Sequence, residues 1–123
     1  MLSYLQLGED ARDDGRLTAA EMFGLPLGKA RLVVLSACET GEAEATPGDE
    51  ILGIERALIY AGANNLVLSS WPVDAASTAL WMKIFHGEAQ RKSLAEAARA
   101  ATVEVKKKFP QPYYWAAFRL IGR

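Results

Sequence analysis

The stretch RLVVLSACETG, Arg31 to Gly41, decides the fold class because a nearly continuous apolar run ends there in the only cysteine and then turns polar. An apolar run of this length between turn signals predicts a strand covered on both faces, over residues 31–37. In open parallel sheets the reactive crevice lies beyond the carboxyl ends of the strands. Cys38 directly follows the predicted strand, which makes it the candidate nucleophile at that crevice.

The composition describes one globular domain with enough apolar material for a core. The 123 residues are 50% hydrophobic and 24% charged, with a net charge of -1. The interspersed charges provide no basic patch for nucleic acid, and no apolar run is long enough to span a bilayer. We expect no signal peptide, because the residues after Met1 do not have the pattern of one, and a lone cysteine cannot form an internal disulfide. We therefore expect a cytoplasmic protein with a free thiol and with no nucleic-acid or membrane partner.

Capping and turn signals divide the chain into alternating strands and helices, a pattern typical of an α/β layer structure. In chain order the predicted elements are a strand at residues 2–7, an acidic loop at 9–15, a helix from Thr18 to near Gly24, the strand at 31–37, a polar loop at 39–49, a helix at 51–61, a strand at 66–68, a helix from Asp74 to Gly87, a helix from Ser93 to Pro110 and a last strand at 114–121.

The strand, helix and strand between residues 31 and 70 predict a right-handed parallel crossover. In that arrangement Ser70 and Trp71 lie at the same sheet edge as Cys38, so two loops distant in sequence line one crevice. Trp71 is therefore a candidate pocket residue, although core packing accounts for a tryptophan equally well.

Other chemistries lack the residues that they need. The segment Gly48 to Gly53 lacks the lysine and hydroxyl residue of a phosphate loop, and no spaced glycine triplet marks a dinucleotide site. Arg12 stands where a calcium loop at residues 10–15 needs a ligand, so a solvated turn is expected. One cysteine and one histidine are too few for an all-protein zinc site. We therefore expect neither a metal nor a cofactor.

Five motifs together resemble the CHAT family, whose caspase-like domains are often fused to tetratricopeptide repeats. They occur in the family's order over nearly the whole chain: LSACETG at 35–41, GIERA at 53–57, AGA at 61–63, SWPVD at 70–74 and YYWAAF at 113–118. The resemblance implies a caspase-like three-layer α/β fold, with a mostly parallel sheet and helices on both faces. Residues 1–123 would then form a single partial domain whose N-terminal portion is missing.

The resemblance also implies functional roles. Cys38 matches the family's nucleophile, and Ser70 to Asp74 match the loop that shapes the pocket for the residue before the scissile bond, with Trp71 as a wall. Asp74 then either accepts a basic side chain or only caps the following helix. The family's histidine and glycine should precede the region of residues 3–7, and this sequence lacks them there. His86, the only histidine, lies near a predicted helix end and is not expected to replace the missing one.

These roles predict a fragment of a caspase-like cysteine endopeptidase that is inactive alone. A thiol with a pKa of about 8.5 is mostly protonated at neutral pH unless a histidine withdraws its proton. The expected partners are a peptide or protein substrate and a tetratricopeptide-repeat region or the missing N-terminal half. An apolar strand edge left open would also favour a homo-oligomer. The alternatives are a non-catalytic interaction module on the same scaffold and, from an unrelated class, a small α/β ligand-binding domain.

Overall fold

The computed structural model describes residues 4–8, 10–36 and 47–122. Within these ranges the chain forms five strands and five helices, numbered here in chain order. They are β1 Tyr4–Gln6, β2 Arg16–Thr18, α1 Ala19–Phe23, β3 Val33–Leu35, α2 Pro47–Tyr60, β4 Asn65–Ser69, α3 Ala75–Glu88, α4 Leu94–Lys108, α5 Pro112–Trp115 and β5 Phe118–Gly122.

The central sheet has the strand order β3, β4, β5 among the described residues. Strand β3 pairs parallel with β4, as predicted, with Leu35 opposite Leu68. Strand β5 pairs antiparallel with β4, with Arg119 opposite Leu68, so the described sheet is mixed rather than mostly parallel. The number of helices explains this difference. One helix returns the chain from β3 to the start of β4, whereas α3 and α4 together return it to the far end of β4.

Helices lie on both faces of this sheet, which confirms the predicted layers. Successive side chains of a strand point to opposite faces. Leu66 and Leu68 of β4 therefore pack with α1 and α2, and Val67 packs with α3 and α4. The first cluster includes Met22, Ile54, Ala57 and Leu58, and the second includes Trp81, Phe85, Ala97, Ala101 and Val105.

Two predicted capping boxes are present. Thr18 Oγ1 accepts a hydrogen bond from the Glu21 backbone N–H at 3.1 Å, and Glu21 Oε2 accepts one from the Thr18 N–H at 2.8 Å. Ser93 and Glu96 form the same reciprocal pair at the start of α4. Ala97, Ala101 and Val105 of α4 are fully buried and form the side of this helix that faces the core. Both helices therefore begin where their local sequence dictates.

Strand β2 was not predicted, because the sequence analysis placed only an acidic loop before α1. Strands β1 and β2 instead form an antiparallel hairpin, with Leu5 opposite Leu17. Gly15 turns the chain at a φ of 72°, a conformation that favours glycine. Asp10 Oδ1 accepts hydrogen bonds from the backbone N–H groups of Arg12 at 2.7 Å and Asp13 at 3.0 Å. The predicted solvated turn is therefore the turn of a hairpin.

Several predicted boundaries are wrong. Strand β3 spans only Val33–Leu35 of the described residues. Its half-buried side chains pack on both faces, Val33 and Leu35 against the first core cluster and Val34 against the second. Helix α2 begins at Pro47, inside the predicted loop, which agrees with the preference of proline for a first helical position. Helix α3 continues past Gly87 to Glu88, because Ala89 and not the glycine is its C-cap. The segment predicted as the last strand, residues 114–121, does not form one element. Its first two residues belong to the short helix α5, which begins at Pro112, and β5 follows that helix.

Candidate functional site

The carboxyl ends of β3 and β4 lie side by side. Because Leu35 is opposite Leu68, Ser36 leaves β3 at the same edge at which Ser70 leaves β4. Cys38 stands two residues after Ser36 in the sequence, but it lies outside the described residues, as does Ala37 at the end of the predicted strand. The structure thus describes the two strands that lead to the predicted crevice, and the loop that follows β4.

That loop, Ser70 to Asp74, is fastened to the segment before β5. The Ser70 backbone N–H donates to the Ala117 carbonyl at 2.7 Å. The indole Nε1 of Trp71 donates to the Tyr113 carbonyl at 3.0 Å. Trp71 is half-buried, and neither core cluster of the described residues includes it. Both acceptors are backbone carbonyls, which every residue carries, and the sequence therefore gave no signal for them.

Asp74 caps α3. Its Oδ2 accepts a hydrogen bond from the Ser77 backbone N–H at 2.9 Å, and Ser77 Oγ donates to the Asp74 carbonyl at 3.2 Å. Ser77 is fully buried, which holds this first turn in place. The carboxylate therefore satisfies a backbone donor that the helix itself leaves unpaired. This confirms the capping interpretation that the sequence offered for Asp74.

Replacing Asp74 with alanine is expected to lower the free energy of unfolding by about 1 kcal/mol, because the Ser77 N–H then loses its acceptor. Asparagine keeps a capping oxygen and should cost at most a few tenths of that amount. Urea denaturation followed by circular dichroism measures both variants. Equal losses for the two substitutions would contradict the capping role.

His86 lies far from this sheet edge. It is exposed in the last turn of α3, twelve residues after the Asp74 cap, which corresponds to about 18 Å along the helix. Helix α3 starts beside the carboxyl end of β4 and runs away from it. The described residues therefore bring Ser70, Trp71 and Asp74 together and leave the sequence's only histidine at the other end of the domain.

An ion pair that was not predicted from the sequence links α2 to β5. Arg119 Nη2 lies 3.1 Å from Glu55 Oε2, and Arg119 is the register partner of Leu68 on β4. The two residues are 64 positions apart, and only the tertiary fold joins them. Their contact joins the start of β5 to the helix that precedes β4.

The described residues hold no cluster of three or more side chains that could bind a metal ion. Likewise, none of the described helices has the length and apolar character that crossing a membrane requires. A groove of about 930 Å³ lies between α3 and α4, lined by charged residues of both signs such as Glu88 and Arg99, away from Ser70 and Trp71.

Comparisons with known proteins identify the family of this chain. The family model of the CHAT domain matches residues 1–123. Tetratricopeptide repeat protein 28 of Homo sapiens is 33% identical over 109 residues, and that of Mus musculus is 34% identical over 111 residues. Each match covers 86% of this chain and 4% of the relative, so the chain spans only a small part of the proteins that it resembles. The resemblance seen in the five motifs is confirmed, and the chain belongs to the CHAT domain family.

Proposed function

We propose that this chain is the nucleophile-bearing part of a caspase-like cysteine endopeptidase, with residues 1–123 as one partial domain. Cys38 is the proposed nucleophile, and Ser70 and Trp71 contribute to the proposed substrate pocket, beside the start of α3 that Asp74 caps. The parallel pairing of β3 with β4 carries this proposal, because Ser36, two residues before Cys38 in the sequence, leaves β3 at the edge from which the Ser70 loop extends. Membership of the CHAT family supports it.

The proposed reaction needs a base that this arrangement does not supply. A cysteine attacks the scissile carbonyl as a thiolate, and a histidine that accepts the thiol proton later gives it to the leaving amine. His86 lies about 18 Å along α3 from the Asp74 cap and cannot serve both steps at this edge. We therefore propose that the 123 residues alone have no peptidase turnover and that a histidine-bearing segment completes the site.

The edge of β3 is where such a segment would bind. Among the described strands β3 pairs only with β4, which leaves the backbone groups on its other side open to a further strand. A strand added there would end next to Ser36. We propose that the N-terminal half of a CHAT domain supplies it, and that a tetratricopeptide-repeat region is a further partner, as the names of the relatives suggest. A peptide substrate and a cytoplasmic location remain part of this proposal.

The test is the alkylation rate of Cys38 by iodoacetamide between about pH 5 and about pH 9. The chain alone should react as an ordinary thiol, with a rate that rises through about pH 8.5. Adding the histidine-bearing N-terminal segment of a CHAT domain should shift this rise to lower pH, because a nearby imidazolium stabilises the thiolate. Mass spectrometry of the labelled chain provides the readout.

Two variants serve as controls. Cys38→Ser gives the background labelling, and a segment whose histidine is replaced by alanine should bind without shifting the profile. An unshifted profile with the intact segment, once binding is shown by co-elution, would exclude the catalytic proposal. It would favour the second candidate, a non-catalytic interaction module, for which the exposed apolar face of α2 is the supporting observation.

A further inference from the structure

Helix α2 presents large apolar side chains to solvent as well as to the core. Leu52, Ile59 and Tyr60 are 43%, 37% and 76% exposed. They stand at positions i, i+7 and i+8, with Arg56 at i+4, so all four project from one side of the helix. The opposite side carries the buried Ile54, Ala57 and Leu58. A helix that is apolar on both sides is typical of one that is covered on both sides.

Phe23 at the end of α1 extends this face. Its ring meets that of Tyr60 edge to face, with centroids 5.0 Å apart and an interplanar angle of 67°. Both rings remain well exposed. We call these five residues the α2 outer surface: Phe23, Leu52, Arg56, Ile59 and Tyr60. By contrast, the exposed side of α4 carries charges: Glu96, Arg99, Glu104 and Lys107. The apolar face of α2 is therefore a local feature that differs from an ordinary helix surface.

Among the five side chains of the α2 outer surface, the charged one is the cation Arg56. Arg56 is exposed and has no carboxylate partner among the described side chains. The carboxylate next to it in the sequence, Glu55, is paired with Arg119. Lys29 is a second exposed cation, and it lies near the C-terminal end of α2. Backbone hydrogen bonds hold its segment there, from the Leu27 N–H to the Ala61 carbonyl and from the Asn64 N–H to the Ala30 carbonyl. A cation amid apolar side chains favours a partner with a carboxylate amid apolar side chains.

We propose that the α2 outer surface docks an acidic amphipathic helix of a partner protein. The stripe from Leu52 to Tyr60 is about 12 Å long, which matches two turns of a helix that presents apolar anchors at i, i+4 and i+7. A carboxylate beside those anchors pairs with Arg56. Phe23 and Tyr60 provide the aromatic contacts that dominate the affinity of many interfaces. This role is separate from the proposed peptidase site, since none of these residues belongs to the Ser70 loop.

The test uses a fluorescein-labelled helical peptide of about 20 residues, long enough to be helical in water. Its leucines stand at i, i+4 and i+7, and glutamates flank them. A second peptide carries lysines in place of the glutamates. Fluorescence anisotropy with the full 123-residue chain should show saturable binding of the acidic peptide. Arg56→Glu should weaken that binding by about tenfold or more and should strengthen binding of the lysine peptide.

Matched substitutions on α4 control for general surface effects. Val103 on α4 is 43% exposed, as Leu52 is, and it lies outside the α2 outer surface. Leu52→Gln should therefore weaken binding of the acidic peptide, whereas Val103→Gln should leave it unchanged. Arg99→Glu is the control for Arg56→Glu, and thermal melts verify that each variant folds. Equal binding of both peptides, no binding of either, or unchanged binding by Arg56→Glu would overturn the proposal. So would a dimer in sedimentation that Leu52→Gln dissociates, because the second copy would then be the occupant.

Discussion

Replacing Trp81 with alanine is expected to lower the free energy of unfolding by about 3–5 kcal/mol. Trp81 is 1% exposed, and its ring stacks on Phe85 and Phe118 with centroids 4.9 Å and 4.6 Å away. Alanine would leave a cavity between α3 and β5 that the neighbouring rings fill only in part. Because Phe118 begins β5, the loop tethered just before this strand should lose order too.

A second substitution at position 81 separates the contribution of packing from that of hydrogen bonding. Trp81 Nε1 also donates to Thr102 Oγ1 at 3.2 Å. Trp81→Phe keeps an aromatic ring but removes that bond, so its cost should be smaller, about 1–2 kcal/mol. Urea denaturation monitored by far-ultraviolet circular dichroism compares the two variants. A cost for the alanine variant below that of the phenylalanine variant would refute the packing argument.

Replacing Gly62 with alanine is expected to cost about 2–4 kcal/mol of stability. Gly62 follows α2 with a φ of 107°, a region that side-chain-bearing residues rarely adopt. A Cβ there would lie 2.9 Å from Gly28 Cα and 3.0 Å from Gly28 N, so it would meet backbone rather than a movable side chain. The segment from Leu27 to Ala30 would have to shift away from the turn that leads into β4.

Gly87 provides a control, because its replacement with alanine should stabilise the fold instead of destabilising it. It lies within α3, and a Cβ at this position would meet nothing within 4 Å. Gly87→Ala should therefore raise the free energy of unfolding by about 0.5–1 kcal/mol, because alanine loses less conformational freedom in a helix. Thermal and urea unfolding measure both variants. The argument from backbone contact at Gly62 would be wrong if the two substitutions had similar effects.

Local signals in the sequence predicted much of this fold. The capping boxes at Thr18 and Ser93, and the cap at Asp74, involve residues within three positions of each other, so the local sequence contains all the information needed. The apolar run around Val67 is long enough to mark a buried strand. The single helix between β3 and β4 made their parallel pairing the expected outcome.

Features that depend on distant partners were not predictable in the same way. The direction of β5 follows from the path of two helices, and periodicity carries no such information. Strand β2 was missed because its three residues are too few to form a pattern, and only the pairing of Leu5 with Leu17 defines it. At the candidate site, the Asp74 cap was foreseen, whereas the bond from Trp71 to the Tyr113 carbonyl was not. The role of Cys38 remains a prediction.

The tether of the Ser70 loop also has a consequence for the order of events during synthesis. Trp71 binds a carbonyl 42 residues further along the chain. While the chain is being made, β4 and the start of α3 exist before Tyr113 and Ala117 do. The loop therefore reaches its final arrangement only after α3 and α4 have been translated and have brought that later segment back to the sheet. The Ser70 loop therefore gains its tether late in biosynthesis, although its own residues emerge before Tyr113 and Ala117 do.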